Sequence, residues 1–509
     1  VVVGGGIAGL AAACGLAERG VQVTVLEREA TLGGRVRSWP ITTPDGSAQA
    51  MSRGFHAFFR QYYTLRALLR RADPELTALT AVADYPLMLA DRFTDSFASI
   101  PRTPPWNLAA FVARSPSFPL ASLRHVDVGE ALGLLDVRFP DTYSALDGVS
   151  AAEVLDRLRF PDEARHLALE VFARSFFADP RDFSGAELVA MFHIYFVGSS
   201  EGLLFDVPRD DYDAVLWRPL AAYLGRLGVE LRVSARADTI TPTDNGHRIS
   251  WSPAAGDNGP ASGAGGEAAG GDIECDAVVV AAELPALQRL LERSPMLGEP
   301  QWRERIAELT TSPPFVVWRL WLARQARPDR LPFLGTSGFG PVDNISLVER
   351  MEEQAARWSA RHGGSVVEIH AYAVGPEWSP DTLKARMILE LERVYPELAG
   401  AAIRHDEWLW REDCPLPSTR PWVLRPTVAT PTQGLVLAGD AIRCDLPVAL
   451  MERAATTGFL AANTLLSGWG LPGHDLWTVP ITPRFGAVPG WLRQRLASFA
   501  EAAARRRSS

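Results

Sequence analysis

The residues of this chain that point most directly to chemistry are three glycines and an acid near its start and a Gly-Asp pair far downstream. Gly4-Gly5-Gly6-Ile7-Ala8-Gly9 fits the pattern G-x-G-x-x-G, and Glu27 follows 18 residues after Gly9. Each position answers to a requirement of binding a dinucleotide. Gly4 permits a tight turn, Gly6 lets the backbone approach a pyrophosphate, and Gly9 lets a helix pack close to a strand. A helix opening at Ile7 and Ala8 offers unpaired N–H groups to phosphate oxygens. Glu27 accepts hydrogen bonds from a ribose diol, and an acid there favours FAD or NAD over a 2′-phosphorylated nucleotide. The plain alternative is a glycine-rich turn in a structural βαβ unit.

The flanking sequence supplies the elements that would hold these residues. Val1-Val2-Val3 reads as the end of a buried strand, Leu10–Arg19 has helical apolar spacing and stops at Gly20, and Val21–Leu26 reads as a second strand. The chain opens inside a strand with no initiator Met, so further residues, a targeting signal included, are expected upstream. At 509 residues, two or three domains are expected. A composition of 47% hydrophobic and 22% charged residues excludes wholesale disorder. The net charge of -9 argues against a nucleic-acid partner. Lys384 is the single lysine among 51 basic residues, which points to codon bias and not to phosphate binding. Cys14, Cys275, Cys414 and Cys444 lie far apart, so no disulfide framework and no metal site is expected, and a reducing, cytoplasmic setting fits. No run approaches about 18 apolar residues, so no transmembrane helix is predicted.

Beyond Glu27-Arg28 the chain runs into Leu32-Gly33-Gly34-Arg35-Val36-Arg37. Here it resembles the flavin amine oxidase and carotenoid desaturase superfamily, in which such glycines lie beside the FAD diphosphate and the arginine contacts it. The resemblance implies FAD as cofactor, with Gly33, Gly34 and Arg35 beside its diphosphate and Arg28 a further cofactor contact. The segment Arg53-Gly54-Phe55-His56-Ala57-Phe58-Phe59-Arg60-Gln61-Tyr62-Tyr63 is similar to the aromatic-carotenoid branch, the β-carotene desaturase/methylases (isorenieratene synthases). By that likeness Gly54, Phe55 and His56 pass beside the flavin ring, with His56 and Arg60 the polar groups of an otherwise aromatic wall. A core cluster with a satisfied histidine is the alternative. Val233 resembles the strand residue that meets the adenine. Gly439-Asp440 resembles the family's strand-G-D motif at the ribityl–diphosphate region, and Met451 the start of a helix aimed at the flavin carbonyl edge. Arg453 stands where the family commonly has glycine.

The implied fold class is α/β: a GxGxxG Rossmann-type FAD-binding domain assembled from discontinuous segments, with an α+β substrate domain. Residues 1–83, 205–290 and 415–467 make the first, with a flexible Gly/Ala-rich loop at 252–272. Residues 84–204 are a helical, substrate- or membrane-facing part, 291–414 a substrate sheet, and 468–509 a C-terminal extension. Ser150 with Glu153 and Ser184 with Glu187 predict capping boxes. Phe315–Leu322 and Val366–Tyr372 predict strands, and His370 is a structural histidine or a ligand contact. A short helix is expected over 491–507. The Pro-, aromatic- and Arg-rich stretch 84–125 suits a membrane-interface surface or a prolyl loop folded on a core, and the basic C-terminus suits anionic lipid or a solvated helix end; a cytoplasmic, peripherally membrane-associated protein is expected.

The resemblance implies an FAD-dependent oxidoreductase acting on a hydrophobic carotenoid. In that branch a β-ionone ring loses a hydride to flavin, a methyl group migrates from C1 to C2, and proton loss and a second oxidation leave an aromatic end group. Aromatic walls suit the cation, and His56 and Glu452 are the candidate proton acceptors. An acyclic carotene desaturase or cis–trans isomerase, a flavin amine oxidase, and a non-catalytic flavin-binding partner protein remain alternatives. No motif specifies the electron acceptor.

Overall fold

The protein is described by a computed structural model over residues 1–98, 100–118, 126–160, 176–254, 256, 270–486, 488, 490–492, 494 and 495. Two sheets organise it. The first is a five-stranded parallel sheet in the order Glu230–Arg232, Thr24–Leu26, Val2–Val3, Val278–Val280, Leu435–Leu437. Val2 pairs with Val25 on one side and Val279 on the other, and Val279 pairs in turn with Val436. A parallel sheet is covered on both faces. The helices Ile7–Ala17 and Leu450–Gly468 pack against each other and against strands of this sheet, and every residue of the first is buried. Strands from residues 2, 24, 230, 278 and 435 meet in this one sheet, so the discontinuous assembly expected from sequence is observed.

The second sheet has seven strands, in the order Ile403–Arg411, Phe315–Leu322, Ser365–Ala371, Asn344–Leu347, Phe333–Ser337, Leu87–Leu89, Phe93–Asp95. All residues of Phe315–Leu322 and of Ser365–Ala371 are buried. Alternation divides their side chains between two faces. Trp318, Leu320, Val367, Ile369 and Ala371 build an apolar core on one face. Val317, Arg319, Glu368 and His370 occupy the other, with Arg319 opposite Glu368 and Val317 opposite His370. The last two strands of this sheet come from residues 84–204, expected as a helical part without a clear period over 84–125, and that part therefore also edges the second sheet.

The hairpin strands Gly246–Pro253 and Gly271–Cys275 pair up to Trp251 opposite Gly271, which narrows the predicted loop 252–272. Residues 255 and 257–269 of that loop lie outside the described residues, as does most of the helix expected at 491–507. Ser150 and Glu153 form the predicted capping box. The second one does not form. Ser184 precedes the helix Gly185–Phe192, but its hydroxyl makes no cap bond, and Glu187 is drawn inward to two arginines.

Candidate active site

One cavity of about 650 Å³ runs from the glycine turn at the edge of the parallel sheet to the polar face of the second sheet, a size usual for small-molecule sites. Gly4, Gly6, Ile7, Ala8, Glu27, Arg28, Gly33, Gly34, Arg35, Gly439 and Asp440 line one end. Phe55, Phe59, Tyr85, Phe205, Phe315 and Phe333 line the other, beside Asn344, His370 and Tyr372.

At the polar end the three motif glycines separate by what a side chain would meet. A Cβ on Gly4 would stand 2.5 Å from the Ala281 carbonyl oxygen, and one on Gly9 would stand 1.9 Å from the Gly4 carbonyl oxygen. Gly9 packs beneath the turn and does not line the cavity. Gly6 has φ -79° and ψ -176°, an extended backbone open to any residue. A Cβ there would meet nothing closer than Gly34 Cα at 3.5 Å. The protein leaves room for a side chain at Gly6, and that room opens into the cavity at a helix N-terminus, where an anion is favoured.

Glu27 is buried at the end of Thr24–Leu26. Its carboxylate accepts from Gly5 N at 2.6 Å and Glu29 N at 2.7 Å. Burial pushes this carboxyl up, while the two N–H groups pull it back. Arg28 pairs with Glu29 at 3.0 Å and with Glu283 at 3.5 Å. The Gly33 N–H donates to Gly5 O at 2.8 Å, which binds the second glycine turn to the first. Arg35 then forms an ion pair with Asp440. The open space at Gly6, the helix start at Ile7, the acid Glu27 and the Arg35–Asp440 pair together suit FAD.

Gly54 turns with φ +99°, and a Cβ there would stand 2.5 Å from the His370 ring. Its carbonyl accepts from the Tyr212 hydroxyl at 2.9 Å and lies 2.8 Å from His56 Nδ1. A carbonyl only accepts, so the His56 proton resides on Nδ1 and the lone pair on Nε2. Burial pushes the imidazole down to about 4, so it is neutral at physiological pH. Arg60 does not line the cavity, contrary to expectation: Asp206 holds it at 3.1 Å and also holds Arg66 at 2.7 Å. Arg53, which sequence reasoning passed over, lines the cavity and pairs with Asp413.

Met451 and Leu450, at the start of the helix Leu450–Gly468, line the cavity as expected of a helix aimed there. Glu452 has a different task from the one anticipated. It lies outside the cavity wall, and its two carboxylate oxygens accept from Thr64 N at 2.8 Å and Leu65 N at 2.9 Å. It therefore caps the helix Tyr63–Arg70, and burial pushes it up to about 8. Helical spacing explains the result: with Met451 facing the cavity, its neighbour Glu452 is turned about 100° away. Arg453 is accommodated by a buried ion pair with Glu187 at 2.6 Å, shared with Arg425 at 2.6 Å. Val233 is likewise displaced from its expected place. It is 43% exposed, and Ala235, Arg236 and Ala237 line the cavity in its stead. The chain turns at Ser234, whose φ is +52°, before Ala235 N donates to Glu27 O at 2.7 Å.

Polar residues that the sequence reading left as an ordinary strand complete the far end. Glu368 accepts from Arg319 Nε at 2.9 Å and from Phe55 N at 2.9 Å. His370 Nε2 stands 2.8 Å from Glu368 Oε1, and His370 Nδ1 stands 2.6 Å from the Tyr372 hydroxyl. The signal was available in the spacing Glu368-x-His370-x-Tyr372, a period of two that puts all three on one face of a strand.

The description "flavin containing amine oxidoreductase" matches residues 7–466 of the chain. A carotenoid phi-ring synthase of Streptomyces griseus is 51% identical over 500 residues, covering 98% of this chain and 93% of that protein. A carotenoid phi-ring synthase of Chlorobaculum tepidum is 26% identical, covering 95% and 91%. Among solved structures, cyclohexylamine oxidase from Brevibacterium oxydans has a TM-score of 0.64 at 14% identity, covering 92% of this chain and 98% of that one. That likeness is one of fold, and it extends through both sheets. With the glycine turn, the ribose-type acid and the Arg35–Asp440 pair on one cavity wall, the chain belongs to the flavin containing amine oxidoreductase family and is an FAD-dependent oxidoreductase.

Proposed function

We propose that the protein is a carotenoid-modifying enzyme that desaturates a β-ionone end group, with a 1,2-methyl shift, to an aromatic ring. The observation that carries this reading is the 51% identity to a carotenoid phi-ring synthase along nearly the whole chain. The aromatic end of the cavity supports it. Phe55 stacks on Phe333 at 4.5 Å and meets Phe205 edge-on at 5.9 Å, while Tyr85 lies 5.0 Å from Phe205. Such a wall takes an apolar ring, excludes water and presents ring faces to a developing cation.

Bound FAD supplies the two-electron oxidation. The protein's residues do the rest. Gly4, Gly6, Gly33, Gly34 and Arg35 would hold the diphosphate, Glu27 the ribose, and Met451 with its helix N-terminus the flavin edge, where a helix dipole favours negative charge. Phe55 and neutral His56 line the cavity where the flavin ring would lie, while Gly54, expected there too, does not line it and turns the chain against His370. The Arg53 guanidinium lies 5.5 Å from the Phe315 ring centre, and Asp413 pairs with it, so its charge is offset where it meets that wall.

Membrane contact is part of the same reading, since the substrate is apolar. Among the described residues no helix is long and apolar enough to cross a membrane. Trp106 and Trp477 are 67% and 71% exposed. Asn107 Nδ2 donates to Phe196 O at 2.7 Å and Arg484 Nη1 to Gly198 O at 2.8 Å, so the segments bearing these tryptophans pack against the same short stretch. Exposed tryptophans of this kind suit a membrane interface.

Expression in bacteria that accumulate β-carotene, with pigments resolved by HPLC and mass detection, tests the reading. The expected product keeps its carbon count and loses four hydrogens per modified ring. Unchanged β-carotene, alongside conversion in a phytoene- or lycopene-making strain, assigns the enzyme to acyclic desaturation or isomerisation instead.

A further inference from the structure

Aromatisation with methyl migration requires a group that removes a ring proton from a cation, and the two residues first considered do not meet that need. Glu452 is committed to the helix Tyr63–Arg70. His56 lines the cavity, but Arg53 and His370 both oppose a charge on it, and burial opposes it further. We infer that Tyr372, backed by His370 and Glu368, is the catalytic proton acceptor of the reaction proposed above, on which this inference rests.

Geometry determines the direction of the chain of hydrogen bonds. Arg319 pairs with Glu368 at 2.8 Å inside the sheet. Burial alone would raise the Glu368 carboxyl, but Arg319 and His370 more than offset it and hold it at about 2, so it is ionised. An ionised carboxylate only accepts, so His370 Nε2 carries a proton toward it. In the neutral ring Nδ1 is then an acceptor, and it faces the Tyr372 hydroxyl at 2.6 Å. Asn344 Nδ2 donates to that same hydroxyl oxygen at 2.9 Å, which leaves the phenolic proton for His370. Asp343 accepts from the Tyr372 backbone N–H and holds the residue at the strand end. Tyr372 lines the cavity, and the ring of His370 lies directly behind Gly54, the residue that opens the flavin-side loop.

The step balances without another reactant. The ring C–H bond breaks and its electron pair becomes the new C=C bond. The proton goes to Tyr372 Oη as the phenolic proton passes to His370 Nδ1. The products are an alkene, a neutral tyrosine and an imidazolium paired with the Glu368 carboxylate. The ion pair returns its proton to solvent by the reverse path after product leaves. A relay of this form is the usual way a weakly basic hydroxyl is made to accept a proton. His370 and Glu368 are positioning residues in it.

The test uses purified holoenzyme with β-carotene in lipid vesicles, comparing wild type, Y372F and H370Q. Y372F keeps the ring and removes the acceptor. It is expected to retain FAD and its melting temperature, to reduce flavin at near the wild-type rate in a single turnover, and to form aromatic product about 10²-fold more slowly. The primary isotope effect on loss of the ring proton should rise, and H370Q should shift it in the same direction. Y372F that forms product at the wild-type rate, with an unchanged isotope effect, overturns the inference alone. Wild type that leaves the β-ring intact overturns the functional reading with it. Should Y372F fail to fold, 3-fluorotyrosine at 372 keeps the hydroxyl and its bonds and makes the phenol more acidic. A pH–rate profile displaced from that of wild type then supports the relay, and a superimposable one overturns it.

Discussion

Arg35 and Asp440, 405 residues apart in sequence, meet in an ion pair across the polar end of the cavity. Arg35 belongs to the glycine turn that follows the first βαβ unit, and Asp440 follows the edge strand Leu435–Leu437 of the parallel sheet. The pair therefore joins the two parts of the chain that carry the FAD signature. R35A and D440A should each weaken FAD binding by about ten- to a hundred-fold, the worth of about 1.5–3 kcal/mol for a charge-assisted contact. Flavin fluorescence titration of apoprotein measures it, and an affinity within twofold of wild type would count against either residue as a cofactor contact.

Gly6 and Gly9 should respond differently to the same change. G6A places its methyl in space that the protein leaves open, on a backbone any residue adopts. Its apoprotein should keep its stability within about 1 kcal/mol while FAD binding falls sharply. G9A drives a methyl into the Gly4 carbonyl and should destabilise the apoprotein by about 1–3 kcal/mol or more. Urea denaturation of the two apoproteins beside their FAD affinities separates the cases.

Glu452 predicts a slope in stability with pH. Its folded carboxyl titrates at about 8 against an ordinary 4.5. Between those values the unfolded chain has released a proton that the folded chain keeps. Stability from this group is therefore full below 4.5 and declines as pH rises toward 8, by at most about 1.4 kcal/mol per pH unit. E452Q removes the titration and should flatten that slope while leaving the chemistry of the cavity in place. Parallel stability curves for wild type and E452Q between pH 5 and 8 would refute the assignment.

Glu187 is the shared anion of two guanidinium groups, those of Arg425 and Arg453, and is fully buried. E187Q leaves both cations under-compensated and should cost about 3–5 kcal/mol. The double variant E187L/R453M removes one cation with the anion and should recover part of that loss. Thermal melts of the three proteins decide it; a double variant no more stable than E187Q would show that packing, not charge, is what the site requires.

Much of the polar end of the cavity was legible in the residues themselves. A glycine turn, a strand, a helix and an acid at fixed spacing leave few ways to fold, because each glycine answers to a local steric demand. Gly4, Gly6, Glu27, Gly33, Gly34, Arg35, Gly439 and Asp440 all line the cavity wall for that reason. Phe315–Leu322 was legible as a strand from its apolar run, and Ser150 with Glu153 as a cap, since both are local interactions. Val233 was misplaced by two residues, because one left-handed residue at Ser234 redirects the chain and no pattern announced it.

Long-range pairing decided the remainder. Glu452 was expected as a proton acceptor and Glu187 in a local capping box, yet one caps a helix nearly 390 residues away and the other serves two arginines more than 230 residues downstream. His370 was an ordinary strand histidine until Arg319 on the neighbouring strand, Phe55 from the flavin-side loop and Tyr372 were brought around it. The sequence by itself determined the turn, helix start and acid at the polar end of the cavity, because all three are set within one βαβ unit. Only the tertiary structure decided which buried charges face the cavity and which hold helices together. A charge removed from water must find its partner wherever the fold supplies one, and that partner is seldom a neighbour in the chain.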